Sequence, residues 1–256
     1  MKIILFIGIL LLAIFSGILI NYISDIFPST RKFSKPFCNH CAKPLGWGEY
    51  LGLKQCLNCH QRSKKRYIII FLVTFLLVLL LWFFPPNILG FWLAYPILIF
   101  FCLIFIIDIE HRLILNQFVL VGIVLLLPMG IFMLEKVNPL LKSIGISLLG
   151  GVAGYLLMLG LYYFGGLFSR LVSKLRGEEI EEIALGYGDV NLTAILGLLL
   201  GWPKIGITLL FAIILAGIFS GFYLLISVIL KKYQAFSAIP YAPFLLIAAT
   251  VMIYFA

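Results

Sequence analysis

The chain has 256 residues, of which 63% are hydrophobic and only 11% are charged. A soluble domain of this size needs more polar residues to cover its surface, so the composition excludes an ordinary soluble protein. The net charge of +9 does not indicate a nucleic-acid partner, because nine of the nineteen basic residues lie in residues 24–66. Basic segments beside membrane helices are typical of the cytoplasmic side. We therefore expect contact with membrane lipid and no nucleic-acid binding.

Apolar runs recur along the chain, and their length of about 18 to 25 residues suffices to cross a hydrocarbon layer about 30 Å thick. The first run is too long for the apolar core of a signal peptide and lacks a small-residue cleavage site after it, so we predict a membrane helix there. The predicted fold class is an all-α polytopic membrane protein with about eight transmembrane helices. The predicted spans are residues 3–23, 67–84, 88–107, 115–134, 140–165, 189–201, 205–230 and 238–256.

The distribution of basic residues predicts the orientation of these spans. If residues 24–66 are cytoplasmic, then alternation places the loops 108–114, 166–188 and 231–237 on the same side. Each of these loops carries lysine or arginine, as the positive-inside rule requires. We therefore expect both termini to face outward and the protein to lie in the inner (plasma) membrane.

Residues 24–66 contain two C-x-x-C pairs. Four thiolates at this spacing can surround a tetrahedral Zn²⁺, and a reducing cytosol disfavours disulfides. A loop of about forty residues has too little core to fold alone, so a structural zinc would supply folding energy. We predict a small cytoplasmic zinc-ribbon-like loop, in which His40 and His60 are alternative ligands. The predicted ligands are Cys38, Cys41, Cys56 and Cys59.

Two aspartates stand at the ends of strongly apolar segments. Asp108 directly follows an apolar run, and Asp189 opens another run after Gly186 and Gly188. A carboxylate beside the bilayer core costs roughly 2.5 kcal/mol or more, so it is a candidate functional residue. The glycines allow a close backbone approach or a positive φ, while Asp189 could also serve only as a helix N-cap. Glu110 is a poor partner for Asp108, because residues two apart do not share a helix face.

A pair of carboxylates on different helices suits one kind of chemistry. Two carboxylates a few ångströms apart do not both ionise readily and share a proton. One then activates water as a general base, while the protonated one polarises a peptide carbonyl. The two aspartates therefore predict amide hydrolysis that needs no metal.

With these motifs in order, the chain resembles the type IV prepilin peptidases, the membrane aspartyl proteases with a G-x-G-D motif. Residues 186–192 fit the second aspartate motif closely, and residues 108–116 fit the first, where Leu115 replaces a usual proline. Residues 239–245 are similar to a late motif, and the cysteine pairs to the cytoplasmic zinc loop. Further matches near the amino terminus are Gly17, Asn21 and Pro28.

The resemblance implies an endopeptidase that removes short basic leaders from prepilins or pseudopilins at the cytoplasmic membrane face. Asp108 and Asp189 would be its catalytic pair, supported by Gly186 and Gly188. It also implies a division into a first transmembrane helix at 1–23, a zinc-binding loop at 24–66 and a membrane aspartyl protease domain at 67–256.

Many members of the family also N-methylate the new amino terminus with S-adenosylmethionine. This chain has Phe71 where the family commonly has a glutamate, and residues 25–27 replace an arginine expected before Pro28. Methylation and its cofactor therefore stay open. The acidic run at residues 178–182 is either a solvated helix face or a surface that attracts a basic leader.

Two other functions use the same features. A transporter would use the carboxylates as a proton or cation relay. For that function we would expect acidic residues deep within several spans and a sequence made of repeated halves. A membrane scaffold would recruit a cytoplasmic partner through the zinc loop and would tolerate replacement of Asp108 and Asp189.

Overall fold

The computed structural model describes residues 2–38, 41, 43–51, 59, 65–176, 186–230 and 240–255. Within these residues the chain is helical and has no strand longer than an isolated bridge between Phe37 and Pro44. The helices are α1 (Lys2–Thr30), α2 (Trp47–Tyr50), α3 (Lys65–Phe83), α4 (Gly90–His111), α5 (Asn116–Glu135), α6 (Leu140–Arg176), α7 (Tyr187–Leu200), α8 (Lys204–Ile229) and α9 (Ala242–Tyr254).

Six of these helices are apolar and long enough to cross a membrane: α1, α3, α4, α5, α6 and α8. They indicate a multi-pass membrane protein, so the predicted all-α polytopic fold class is confirmed. The remaining two predicted spans are the shorter apolar helices α7 and α9. With 14 residues, α7 is about 21 Å long and falls short of a hydrocarbon layer about 30 Å thick.

Several helices extend past the apolar runs that predicted them. Helix α1 continues to Thr30 instead of ending near residue 23, and α6 continues to Arg176 instead of ending near residue 165. Hydropathy identifies the part of a helix that suits lipid, whereas the helix itself ends only where backbone hydrogen bonding stops. The helices therefore extend beyond the predicted spans at these two ends.

The chain divides into two compact units, Met1–Ile107 and Asp108–Ala256. In the first unit α1 packs on α3, and the ring of Phe71 lies directly against Gly17. Arg66 pairs with Asp25 at 3.7 Å and donates a hydrogen bond to the Ser24 hydroxyl at 3.0 Å. Two positions that depart from the family pattern, Phe71 and Asp25, thus take part in packing α1 against α3. The predicted domain boundaries at residues 23 and 66 stay predictions.

In the second unit, α7 lies among α5, α6, α8 and α9 and contacts all four. Most of its side chains are buried, including Leu192, Leu196 and Leu200. The contact with α6 is close because Gly150 faces the backbone of Gly197 with no side chain between them. Small residues of this kind let the backbones of membrane helices approach each other. The unit therefore buries a short helix that carries one of the predicted site residues.

Candidate active site

Asp189 lies in the first turn of α7. Gly186 is the N-cap residue, and its backbone N–H donates a hydrogen bond to the Asp189 carboxylate at 3.2 Å. The expectation that Asp189 could itself be the N-cap is therefore corrected. Asp189 is the third residue of the helix, and its side chain accepts the hydrogen bond from the N-cap residue. The helix N-terminus favours a negative charge there. The side chain is 7% exposed, so the carboxyl group is nearly enclosed by protein.

Asp108 lies in the last turn of α4, which ends at His111. It is 6% exposed, whereas Glu110 is exposed, in agreement with their different helix faces. Its Oδ2 atom is buried and has no hydrogen-bond partner among the described residues. Arg112 follows the helix with a φ of 52°, a left-handed conformation that only glycine adopts without strain. This residue turns the chain away from α4 directly after the aspartate.

Gly188 provides the close approach that the sequence predicted. A Cβ atom at this position would lie 2.8 Å from Cβ of Ile114, in the segment that follows Arg112. No positive φ is needed there, since the described glycines with positive φ are Gly90 and Gly201. Glycine thus lets the segment after the first aspartate pass against the helix turn that holds the second one.

The structure brings the two aspartates into the same site. The Asp108 carboxylate acts electrostatically on Asp189, and Arg112 acts on Asp108. The start of α9 completes the surroundings: the backbone N–H of Ala242 lies near the Asp108 carboxyl group, and Tyr241 interacts electrostatically with Asp189. Two acidic groups from distant parts of the sequence therefore share one buried environment.

Sequence reasoning did not identify two contributors to this environment. Tyr241 and Ala242 belong to a stretch that resembles a late family motif, but the sequence did not indicate that this stretch meets the aspartates. The signal available was that the stretch carries two prolines, Pro240 and Pro243, directly before an apolar run. Prolines at this position predict that a helix begins there, but they do not predict which other helices it packs against.

Three of the four predicted zinc ligands come together. The Sγ atoms of Cys38, Cys41 and Cys59 all lie within 4.8 Å of one another, and those of Cys38 and Cys59 are 3.5 Å apart. Zn–S bonds of about 2.3 Å at tetrahedral angles require sulfur atoms about 3.8 Å apart. Beside the cluster, the Cys38 N–H donates to the Lys43 carbonyl at 2.9 Å. These cysteines are close enough to bind a metal such as zinc.

Other predicted residues lie outside the part of the chain that the structure describes. These are the fourth cysteine, the two histidines considered as alternative ligands and the acidic run: Cys56, His40, His60 and residues 178–182. Their roles stay predictions.

Comparison with known proteins points to the segment that contains both aspartates. A sequence model of the type IV leader peptidase family matches residues 95–221, about half of the chain. The matched segment contains both aspartates and all of α5, α6 and α7. No curated protein and no solved structure matches the chain. The match agrees with the resemblance drawn from the motifs, and it supports a peptidase activity. Through residues 95–221 the chain belongs to the type IV leader peptidase family.

Proposed function

We propose that the protein is an aspartyl endopeptidase that removes the short basic leader from prepilins or pseudopilins at the cytoplasmic face of the membrane. The observation that carries this proposal is the meeting of two buried carboxyl groups, Asp108 and Asp189, within the segment that matches the leader peptidase family. The family supports peptide cleavage, and the pair of aspartates supplies the groups that cleavage without a metal needs.

The chemistry uses the two carboxyl groups in opposite protonation states. The ionised aspartate takes a proton from water, whose oxygen then bonds to the carbonyl carbon of the scissile peptide. The protonated aspartate donates its proton to the carbonyl oxygen, so that a neutral tetrahedral intermediate forms. As this intermediate collapses, the aspartate that took the water proton gives it to the nitrogen and the C–N bond breaks. One hydroxyl group of the intermediate returns its proton to the other aspartate, which leaves a new carboxyl group, a new amine and the pair in its starting state. The shared proton belongs to the coupled pair and not to one residue.

Burial supports this division of roles. Both side chains are almost fully enclosed, and two carboxylates close together in such surroundings do not both ionise readily. Oδ2 of Asp108 has no hydrogen-bond partner in the part of the chain that the structure describes, so it can bond to water or to substrate. The hydrogen bond from the Gly186 N–H holds the carboxyl group of Asp189 in place. Each aspartate therefore has a fixed position and retains capacity for a reacting group.

The cysteine cluster has a structural role in this proposal. Cys38, Cys41 and Cys59 would hold the zinc together with Cys56, and the bound metal would fold the loop around it. The basic residues of the same loop support a cytoplasmic location in the plasma membrane. N-methylation with S-adenosylmethionine stays a separate prediction for this chain.

The proposal is tested by digesting a candidate prepilin of the same organism with the purified protein and measuring both products by mass spectrometry. We expect the native protein to release the leader, and Asp108→Asn and Asp189→Asn each to abolish release while still accumulating in the membrane. Normal processing by either variant would contradict the proposal and favour a scaffold. Addition of S-adenosylmethionine to the same digest shows whether the new amino terminus gains a methyl group.

The matched control for this experiment is Glu110→Gln. It removes one carboxylate from the same helix end, two residues from Asp108, but from an exposed position. We expect this variant to cleave like the native protein. If it were as inactive as Asp108→Asn, loss of negative charge at the end of α4 would explain both results.

A further inference from the structure

The hydroxyl group of Tyr241 is a buried hydrogen-bond donor. Its oxygen is inaccessible to solvent and has no hydrogen bond among the described residues. Two buried hydroxyl groups in this unit are paired: Thr193 donates to the Asp189 carbonyl at 2.7 Å, and Ser147 donates to the Leu198 carbonyl at 2.5 Å. A buried hydroxyl that stays unpaired lowers the stability of the fold. Phenylalanine at this position would avoid that cost, so the presence of tyrosine needs an explanation.

The position of Tyr241 suggests what that partner is. The residue directly precedes α9 and is followed by Ala242, whose N–H faces Asp108, while the tyrosine itself interacts with Asp189. The tyrosine is therefore near Asp189, and the residue next to it in the chain is near Asp108. A phenol keeps its proton at neutral pH and can donate it in a hydrogen bond.

A peptide carbonyl held between the aspartates fits this unpaired donor. Its oxygen has two lone pairs, of which the protonated aspartate uses one. The second lone pair has no donor in the mechanism described above. Partial negative charge builds up on this oxygen as water attacks the carbon, before the proton of the aspartate is fully transferred. A donor placed there in advance stabilises that charge more than it stabilises the ground state.

We propose that the Tyr241 hydroxyl donates a hydrogen bond to the carbonyl oxygen of the scissile peptide, and that this bond strengthens as the tetrahedral intermediate forms. The proposal rests on the peptidase function proposed above and adds a third catalytic residue to the two aspartates. No covalent bond to the tyrosine forms, and its proton stays on the phenol throughout.

Tyr241→Phe tests this role, because it removes one oxygen atom and keeps the ring. We expect kcat for cleavage of the prepilin to fall roughly 100-fold, as it does when one oxyanion donor is lost, with KM within about twofold of the native value. We also expect the thermal midpoint in detergent to stay the same or rise, because an unpaired buried hydroxyl is removed. The matched control is Tyr254→Phe at the other end of α9, which should leave both kinetic constants unchanged.

Three results would overturn the proposal. A kcat within threefold of the native value would show that the hydroxyl does not act in the transition state. A raised KM at unchanged kcat would limit it to ground-state binding. A lowered thermal midpoint would show that it is paired in the free protein and has a structural role. Native protein and Asp189→Asn are measured in the same assay, so that failure of the peptidase function itself appears as inactivity of the native protein.

Discussion

The Asp189 side chain accepts a hydrogen bond at the start of α7 and also interacts electrostatically with Asp108. Substitutions can separate these two roles. Asparagine keeps an oxygen that can accept the Gly186 N–H, but it has no acidic proton and no charge. Alanine removes the acceptor as well. Loss of a side chain that caps a helix start costs about 1 kcal/mol of stability.

We therefore predict that Asp189→Asn and Asp189→Ala are equally inactive but differ in stability. The alanine variant should be less stable than the asparagine variant by about 1 kcal/mol, because its Gly186 N–H loses a partner. Thermal or denaturant unfolding of both proteins in the same detergent measures the difference. Equal stability would mean that the hydrogen bond from Gly186 contributes nothing to the fold.

Individual residues differ in how far the sequence could predict their part in the site. Asp108 and Asp189 could be predicted, because an acidic residue at the edge of an apolar run is costly and therefore conspicuous. The sequence could predict that another part of the backbone comes close to Gly188, but it could not predict that this part is Ile114. Tyr241 could not be predicted at all, because its role depends on helix packing that joins residues far apart in the chain.

At the scale of helices, the placement of Asp189 depends on the packing of α7 against α6. A Cβ atom on Gly197 would meet the backbone of Gly150 and Gly151. Backbone atoms cannot move aside as the end of a flexible side chain can. The two helices would have to separate, and Asp189, two turns away on α7, would move with its helix.

We predict that Gly197→Ala lowers both stability and cleavage activity. Overpacking of this kind costs about 1–3 kcal/mol, and the shift of α7 should reduce kcat more than it changes KM. The control is Gly160→Ala on α6, where an added Cβ meets no atom within 4 Å. Unfolding and cleavage are measured for both variants. Native stability of Gly197→Ala would show that the two helices are not held at this distance.

Helices as elements were easier to predict than their ends. Hydropathy indicated all eight apolar helices, because each helix has apolar side chains along the length that contacts lipid or the interior of the protein. It indicated a short helix at residues 189–201, but it did not indicate that α9 is also too short to match a full hydrocarbon layer. Burial among other helices explains this for α7, since a helix surrounded by protein does not have to match the thickness of lipid.

For the whole molecule, the proposed orientation makes a direct prediction about chemical labelling. Loop 136–139 should face outward and the end of α4 should face the cytoplasm. We expect a membrane-impermeant maleimide to label Val137→Cys in intact cells, because this position is 78% exposed. The native protein should not react in intact cells, because its cysteines lie in the inner loop or within α4. His111→Cys should react only after permeabilisation, since its new cysteine faces inward. Labelling of His111→Cys in intact cells would contradict the orientation.

The metal content of the purified protein tests the cysteine cluster, which joins two parts of the predicted cytoplasmic loop, at Cys38 and at Cys59. Cys38 and Cys59 stand on either side of residues 43–51, and a metal between them would close this loop. Such a loop has little apolar core, so metal binding should supply most of its folding free energy. Purified protein should therefore contain about one zinc per chain.

We predict that Cys38→Ser loses this zinc and that Cys102→Ser keeps it, because Cys102 lies in α4 outside the cluster. Serine is a poor zinc ligand at neutral pH, so the remaining thiolates should not retain the metal at stoichiometric levels. Elemental analysis measures the zinc, and limited proteolysis of residues 31–64 measures the fold of the loop. Cys38→Ser should be cut faster there, while the helices of Asp108–Ala256 resist as in the native protein. A stoichiometric metal that survives Cys38→Ser would mean that the ligands are not the cysteines assigned to it.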